Sequence, residues 1–338
     1  GFPLLTGIVM AAPEKRPVGT GMLPVVAYAV LIVLSLLVAR SEHGTHSFMR
    51  YVAQSRSQQL IDSTNSVKAL FRGDLFPDEA KLKAVSHLLS LPEMSKLTLR
   101  YPVDVMNCTQ IFALANGMNY VPRPVIQGYS AYTPELQRLN GDFLGQQTEP
   151  SFVLYLHQTI DDRFPTLDDS AAFNALLRNY RPVLREGNYL LMAKGGSEQL
   201  ALTSVHEQVM KFGESLDLSG WNDELLFASV HMSRTMTGRA TTFLFQEFPM
   251  SAIVQAGADL LRFRYVPVMG QLPFLLSPLV ENNDDLMDIY GGVPRRKVTR
   301  ISFMVPPGLP RQYGDSFTIR LYRAVGSSRN RPNPAQRQ

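Results

Sequence analysis

Between Pro17 and Ala39 the chain runs PVGTGMLPVVAYAVLIVLSLLVA, 23 residues without a charge. A helix needs roughly 20 apolar residues to cross the hydrocarbon core of a bilayer. The run therefore predicts a transmembrane helix at about 20–40, with Lys15 and Arg16 before it and Arg40, Glu42 and His43 after it. Pro24 falls near its start, where a missing N–H costs little. A cleavable signal peptide would carry an apolar region of about 7–15 residues ending in a small-x-small site, and Val38-Ala39-Arg40 is a poor one. The preceding GFPLLTGIVMAA is apolar but too short to span. It reads as the end of an earlier membrane helix, which makes residues 1–44 a membrane segment and the chain the C-terminal part of a longer protein. The cations on the two sides nearly balance, so the positive-inside rule leaves the orientation open.

Composition agrees with a membrane part. Charged residues make up only 18% of the 338, and hydrophobic residues 45%, against about 25% charged in ordinary soluble chains. The net charge of +4 is mild, and no basic stripe is interleaved with aromatics, which argues against nucleic acid as a partner. Cys108 is the single cysteine. It excludes an internal disulfide and a thiolate metal cluster, and reads as a small buried residue. The histidines at 43, 46, 87, 157, 206 and 231 are scattered. His43 and His46 lack a nearby carboxylate and make a weak zinc signal. No phosphate-binding loop, nucleophile elbow, zinc-protease or dinucleotide signature occurs. Neither a cofactor nor a metal is expected.

Past the membrane segment the periodicity changes twice. Residues 45–72 have apolar positions at three- and four-residue steps, ending at Gly73, and predict a helix. FPDEAKLKAVSHLLSL (76–91) begins another with Pro77 and an acidic first turn. LTLRYPVDVM (97–106) reads as a strand, NCTQIFALANG (107–117) as a helix closed by Gly117, and YVPRPVIQ (120–127) as extended. TPELQRLNGDFL (133–144) is a helix with Thr133 as cap and Pro134 first. PSFVLYLH (150–157) is an unbroken apolar run, as a strand buried on both faces should be. DDSAAFNALLRNY (168–180) is a helix capped by Asp168 or Asp169, and RPVLREGNYLLMAK (181–194) two strands about a tight turn. Helices alternating with strands predict a small α/β domain with a mixed or largely parallel sheet, in a 45–195 unit that includes the helical linker. From 200 to 325, short alternating segments at 204–212, 224–233, 241–249, 260–268, 298–306 and 316–324 lie between Gly, Pro, Asn and Asp. They predict an antiparallel, jelly-roll-like β-sandwich without helices. The basic tail 326–338, GSSRNRPNPAQRQ, is too polar to order itself.

The stretch from Val103 to Lys194, with LANGMNYVPRPVIQGYSAYTPELQRLN, PSFVLYLHQTIDDR and LLRNYRPVLREGNYLLMA, resembles the C-terminal, extracytoplasmic part of bacterial polytopic glycosyltransferase-like membrane proteins of the GT-C superfold. LPFLLSPLVENNDDL (272–286) is similar to a segment in the sandwich of such proteins. The resemblance covers about a third of the chain. It implies an extracytoplasmic location at the cell membrane. It carries over no catalytic residue, because the family's acidic residues lie in a loop near the start of a chain with many spanning helices.

Two clusters are candidates for binding. Tyr120, Arg123, Gln127, Tyr129, Tyr132 and Asn140 place rings and polar groups around Pro122, Pro124 and Pro134. Tyrosines stack on sugars, and guanidinium and amide groups donate to hydroxyls or phosphate. The alternative is a proline-stiffened loop packed over the sheet and tied down by tyrosine hydroxyls. Asp161, Asp162, Arg163, Asp168 and Asp169 form an acidic cluster that suits acid/base work or a divalent cation, or simply a turn and a helix cap. If 121–127 and 151–157 are neighbouring strands, Arg123, Gln127, Tyr129, Tyr132, Asp161 and Arg163 should converge beyond their ends, where open α/β sheets bind ligands. The expected function is the accessory, acceptor-binding portion of a glycosyltransferase-like membrane protein, with membrane lipid, a lipid-linked sugar or glycan, and other membrane subunits as partners. The alternative is a non-catalytic protein- or glycan-binding module of a membrane assembly.

Overall fold

The chain divides into two units, Gly1–Ala84 and Val85–Gln338. The computed structural model describes residues 86–146, 150–195, 201–221, 225–236, 238–239, 250–293, 296–305 and 312–325, all in the second unit. The expected transmembrane helix, the helix over 45–72, the strand at 241–249 and the basic tail lie outside the described residues. Among the described residues no helix is long and apolar enough to cross a membrane.

Pro92–Thr98 forms α1, with Pro92 at its first positions. The strand expected from 97 therefore shortens to β1, Val103–Met106. Gln110–Ala115 forms α2, and Gly117, at φ 62°, turns the chain after it. Pro134–Gly145 is α3, whose Thr133 side chain accepts from the Leu136 N–H, as its cap signal predicts. Phe152–Tyr155 is β2 and Ser170–Asn179 is α4. Tyr180–Glu186 (β3) and Tyr189–Lys194 (β4) form a hairpin whose Gly187 sits at φ 56°, the left-handed geometry a two-residue hairpin turn requires.

These strands make one sheet in the order β1-β2-β4-β3. Only β1 and β2 are parallel, with Val103 beside Phe152 and Met106 beside Tyr155. The sheet is mixed, because the tight hairpin forces β3 and β4 antiparallel. β2 is interior, as its apolar run predicts. The segment 121–127 is not a strand of this sheet. The residue before it, Tyr120, makes a single bridge to Val103, and the chain leaves the sheet after Val121, since Pro122 and Pro124 have no N–H to donate. The neighbour of β2 is β1 instead.

The remainder is two antiparallel sheets packed as a sandwich. Ala201–Lys211 (β5), Ser215–Asp217 (β6), Leu226–Arg234 (β7), Met250–Ala256 (β8), Asp259–Tyr265 (β9), Phe274–Ser277 (β10), Val298–Met304 (β11) and Tyr313–Val325 (β12) supply the strands. They order as β10-β7-β12-β5 and β6-β11-β8-β9. Alternation sends Leu226, Ala228, Val230, Ile319 and Leu321 inward against Val254, Ile301 and Phe303. Among the described residues a nine-residue helix interrupts this region against expectation: α5, Asn283–Gly291. Asn282 accepts from the Asp284 and Asp285 N–H groups, both acids lie in the first turn, and Gly292 closes it at φ 73°.

The α/β part and the sandwich share a core. Residues of β7 and β12 that face away from the sandwich interior, Phe227 and Tyr322, pack with Leu275 against α4 and α5. Helix α4 is buried from Ala172 to Leu177 because sheets flank it on two sides. On the far face of the first sheet, Met94 of α1 and Ala113 of α2 cover Val103, Val105, Leu154 and Leu191. The connection from β2 to α4 fastens the assembly, since Phe164 and Leu167 insert into the sandwich interior.

Candidate functional site

The loop after residue 119 is held from beneath by Arg123. Its side chain is buried, 1% exposed. Nη2 lies 3.0 Å from Asp104 Oδ2 and donates to the Val105 carbonyl at 2.8 Å, while Nη1 lies 3.2 Å from Asp169 Oδ2. Asp104 faces inward because strand alternation turns it opposite Val103 and Val105. Asn140 on α3 donates to Asp169 Oδ2 at 2.7 Å and exchanges two hydrogen bonds with the backbone of Val125. Burial pushes the Asp169 carboxyl up to about 6, with Arg123 and Asn140 offsetting part of that rise. Burial raises Asp104 as well, and carries the Tyr120 phenol up to about 12 with help from the Asp104 charge. Asp169 occupies the cap position of α4 at φ 54° but makes no capping hydrogen bond, because its carboxylate is turned toward Arg123.

A second buried guanidinium braces the other end of the loop. Arg163 Nη1 donates to Asp168 Oδ1 at 2.8 Å and to the Tyr129 carbonyl at 3.0 Å. Its Nη2 donates to the Tyr132 hydroxyl at 2.7 Å, with Cζ 5.2 Å from the centre of the Tyr132 ring. Asp161 is 3.0 Å from Arg264 and 4.0 Å from Arg163. The backbone at Asp162 and Phe164 exchanges hydrogen bonds with Arg264, extending the edge at β9. Three of the four acids of the cluster are thus spent on partners, Asp161 on Arg264, Asp168 on Arg163, and Asp169 on Arg123 and Asn140, while Asp162 is exposed and joins through its backbone carbonyl.

The expected convergence is realised in part. Arg163, Tyr129, Tyr132 and Asp161 come together, and Gln127 accepts from the Tyr129 hydroxyl. Arg123 does not stand at the rim of that surface. It points into the interior, since two buried carboxylates and a carbonyl claim its donors. Gln127 and Tyr132 are exposed, and Tyr129 is half-buried.

The carboxyl ends of the parallel pair collect other polar groups. Asn107, at φ 82°, donates to the Leu156 carbonyl. Gln110 donates to the carbonyls of Asn107 and Ile126, each at 2.9 Å, which draws the 126–129 loop over the strand ends. Gln158 is exposed and lies 3.5 Å from the Cys108 sulfur. Asn107, Gln110 and Gln158 were missed by sequence reasoning. Their signal is their place directly after β1 and β2, hidden once 121–127 is taken as the neighbouring strand. His157, also just past β2, is a core residue. Its Nδ1 shares a hydrogen bond of 2.5 Å with the Tyr155 hydroxyl, and burial lowers it to about 4, keeping the ring neutral.

Just past β1 and β2 lie the neutral side-chain amides of Asn107, Gln110 and Gln158, with the loop of Gln127 and Tyr129 drawn over the strand ends and held by two buried arginines. These amides donate and accept hydrogen bonds without charge, which suits hydroxyl-rich ligands better than proton transfer, and the exposed carboxylates of Asp161 and Asp162 belong to the other end of the loop. The sequence matches no protein-family model and no curated protein.

Proposed function

We propose that this chain is a membrane-anchored, extracytoplasmic portion of a glycosyltransferase-like membrane protein, and that it binds a glycan or lipid-linked sugar acceptor rather than carrying out transfer itself. The observation that carries the reading is the set of neutral amides at the carboxyl ends of β1 and β2, where Gln110 draws the braced loop of Gln127 and Tyr129 over the strand ends and Gln158 lies exposed beside Cys108. Amides match sugar hydroxyls in both donor and acceptor sense, and a tyrosine edge adds a stacking surface. The 20–40 segment supplies the anchor, and the sandwich, taken as jelly-roll-like, is a platform that other membrane subunits can pack on.

The test is a titration of the full chain in detergent with oligosaccharides and a polyprenyl-phosphate sugar, repeated for Gln127→Ala, Gln158→Ala and Tyr129→Ala with a thermal melt of each. Binding that weakens severalfold while the melt stays put supports the reading. A variant series that binds as the parent does, or a parent that binds nothing, removes the reading.

A second reading, an interaction module of a membrane assembly, is favoured by β5. It is an 11-residue strand at the edge of its sheet, exposed over most of its length. An open edge can accept a strand from a partner. Slowed amide exchange over 201–211 on reconstitution with the membrane assembly supports this reading, and unchanged exchange removes it.

A further inference from the structure

The loop from Arg123 to Gly128, which brings Gln127 over the strand ends, is seated on one buried carboxylate. At its start Arg123 Nη1 donates to Asp169 Oδ2 at 3.2 Å. In its middle Asn140, which donates to the same oxygen at 2.7 Å, holds both the N–H and the carbonyl of Val125. At its end Gly128 lies against Asp169 so closely that an added Cβ would stand 3.1 Å from the Asp169 Cβ and 3.3 Å from Oδ2. Asp104, the other carboxylate on this guanidinium, is 3.0 Å from Nη2. Asp104, Arg123 and Asp169 are each at most 1% exposed. We propose that the cluster is a proton-operated switch for the loop: a single proton held by the Asp104–Asp169 pair keeps residues 123–128 seated, and its loss favours their release.

The charge count carries the argument. One guanidinium faces two carboxylates, so the fully ionised cluster leaves one negative charge uncompensated and out of solvent. Such a charge is costly, and a proton on either carboxyl removes it. The neighbouring groups cannot supply the missing positive charge. Tyr120 ahead of the loop and Tyr180 at the start of β3 stay neutral, their phenols raised by burial and by the Asp104 charge. Asn140 on α3 is uncharged, and Asp168 is turned away to Arg163. Asp169 Oδ1 is buried and accepts no hydrogen bond among the described residues. Burial raises both carboxyls of the pair, Asp169 to about 6.

The direction follows by linkage. When the loop lifts, water reaches the carboxylates, and an exposed aspartate titrates near 3.9. Opening therefore releases a proton. Below about pH 4 both forms hold it and opening is at its least. Opening then rises about tenfold per pH unit and levels off above about pH 6, a change on the order of 100-fold. A ligand that engages only the seated loop would be bound with proton uptake across this window. That consequence rests on the acceptor-binding reading, whereas the switch itself does not.

The experiment is amide hydrogen exchange of the full chain in detergent, without ligand, from pH 4 to 7 and corrected for the intrinsic exchange rate. The Val125 amide reports opening of the loop, and the Leu139–Leu144 amides of α3 report opening of its support. Val125 should exchange faster than those of α3, with an opening constant that climbs between pH 4 and 6 and then flattens. Asp169→Asn should abolish the climb and keep opening near its low-pH level. Asp104→Asn, which leaves one carboxylate to one guanidinium, should move the climb to lower pH. The parent profile decides even if a variant fails to fold. A Val125 opening constant that is flat from pH 4 to 7, that falls as pH rises, or that only follows the α3 amides overturns the proposal. So does a climb that survives in Asp169→Asn. Since no sugar is present, failure of the switch and failure of acceptor binding are read separately.

Discussion

Arg123 and Asp169, 46 positions apart in sequence, meet at 3.2 Å with both side chains essentially out of solvent. Asp104 completes the contact at 3.0 Å, so one guanidinium serves two carboxylates contributed by β1 and the start of α4. Taking charges out of water is costly, and the arrangement persists because each carboxylate finds this partner.

Removing the cation should therefore cost more than the contact contributes. Arg123→Met leaves two buried carboxylates without compensation, and a loss of about 3–5 kcal/mol is expected in urea unfolding. Adding Asp169→Asn to that variant should recover part of the loss, since the two positions are coupled. Independent, additive effects would mean that the cluster contributes no shared stability.

The same cluster predicts a pH dependence. Asp169 is raised to about 6 by burial, whereas an unfolded aspartate titrates near 3.9. The folded form binds this proton more tightly, so the group's contribution is fully present below about pH 4 and is lost as pH rises through 6. Asp104 and Asp168 are raised by burial as well and act with the same sign. Urea midpoints measured from pH 4 to 7 should show the parent losing stability relative to Asp169→Asn across that window. A parent that gains over the variant as pH rises would show that Arg123 holds the carboxylate charged.

Local signals were sufficient where local interactions decide the outcome. Thr133-Pro134, the turn at Gly187 and the apolar run of β2 each state their structure within a few residues. Asp169 is different. Its position is that of a cap, but a guanidinium 46 residues away competes for its carboxylate and wins. Arg123 was legible as chemistry and not as direction, because nothing in VPRPV tells whether the guanidinium faces water or the interior. The prolines flanking it were the neglected clue, since they forbid the ladder that a strand at 121–127 would need. For α5 the Asn282 cap and Gly292 stop were present, but they were obscured by the alternating segments on either side. Gln110 and Gln158 become visible only once β1 is known to be the neighbour of β2.

Phe164 and Leu167 tie the connection before α4 to the sandwich interior, both essentially fully buried. Phe164 meets Phe263 and Phe274 edge-to-face at 5.5 and 5.3 Å. Phe164→Ala should cost about 3–5 kcal/mol through lost burial and the cavity left behind. Limited proteolysis should then cut between 156 and 169 before it cuts elsewhere. Cleavage sites identical to those of the parent would mean that the connection is held without the ring.

Arg163 supports the candidate loop directly, and its replacement separates charge from geometry. The guanidinium reaches the Asp168 carboxylate, the Tyr129 carbonyl and the Tyr132 hydroxyl at once, while Cζ rests 5.2 Å from the Tyr132 ring. Arg163→Lys keeps the charge but replaces a planar fork with a single ammonium centre, which cannot reach these acceptors together. The pairing with Asp168 is the contact most easily kept, since it is the charged one and the closest in sequence. The bonds to Tyr129 and Tyr132 should be lost, and the loop over 128–132 should loosen while α3, anchored through Thr133 and Asn140, stays ordered. Hydrogen exchange is expected to speed at least tenfold for amides of 129–132, with the Leu136–Leu144 amides unchanged. Ligand affinity at Gln127 and Tyr129 should fall with it, because ordering the loop would then be charged to binding. Unaltered exchange at 129–132 would show that Arg123 and Asn140 alone hold the loop.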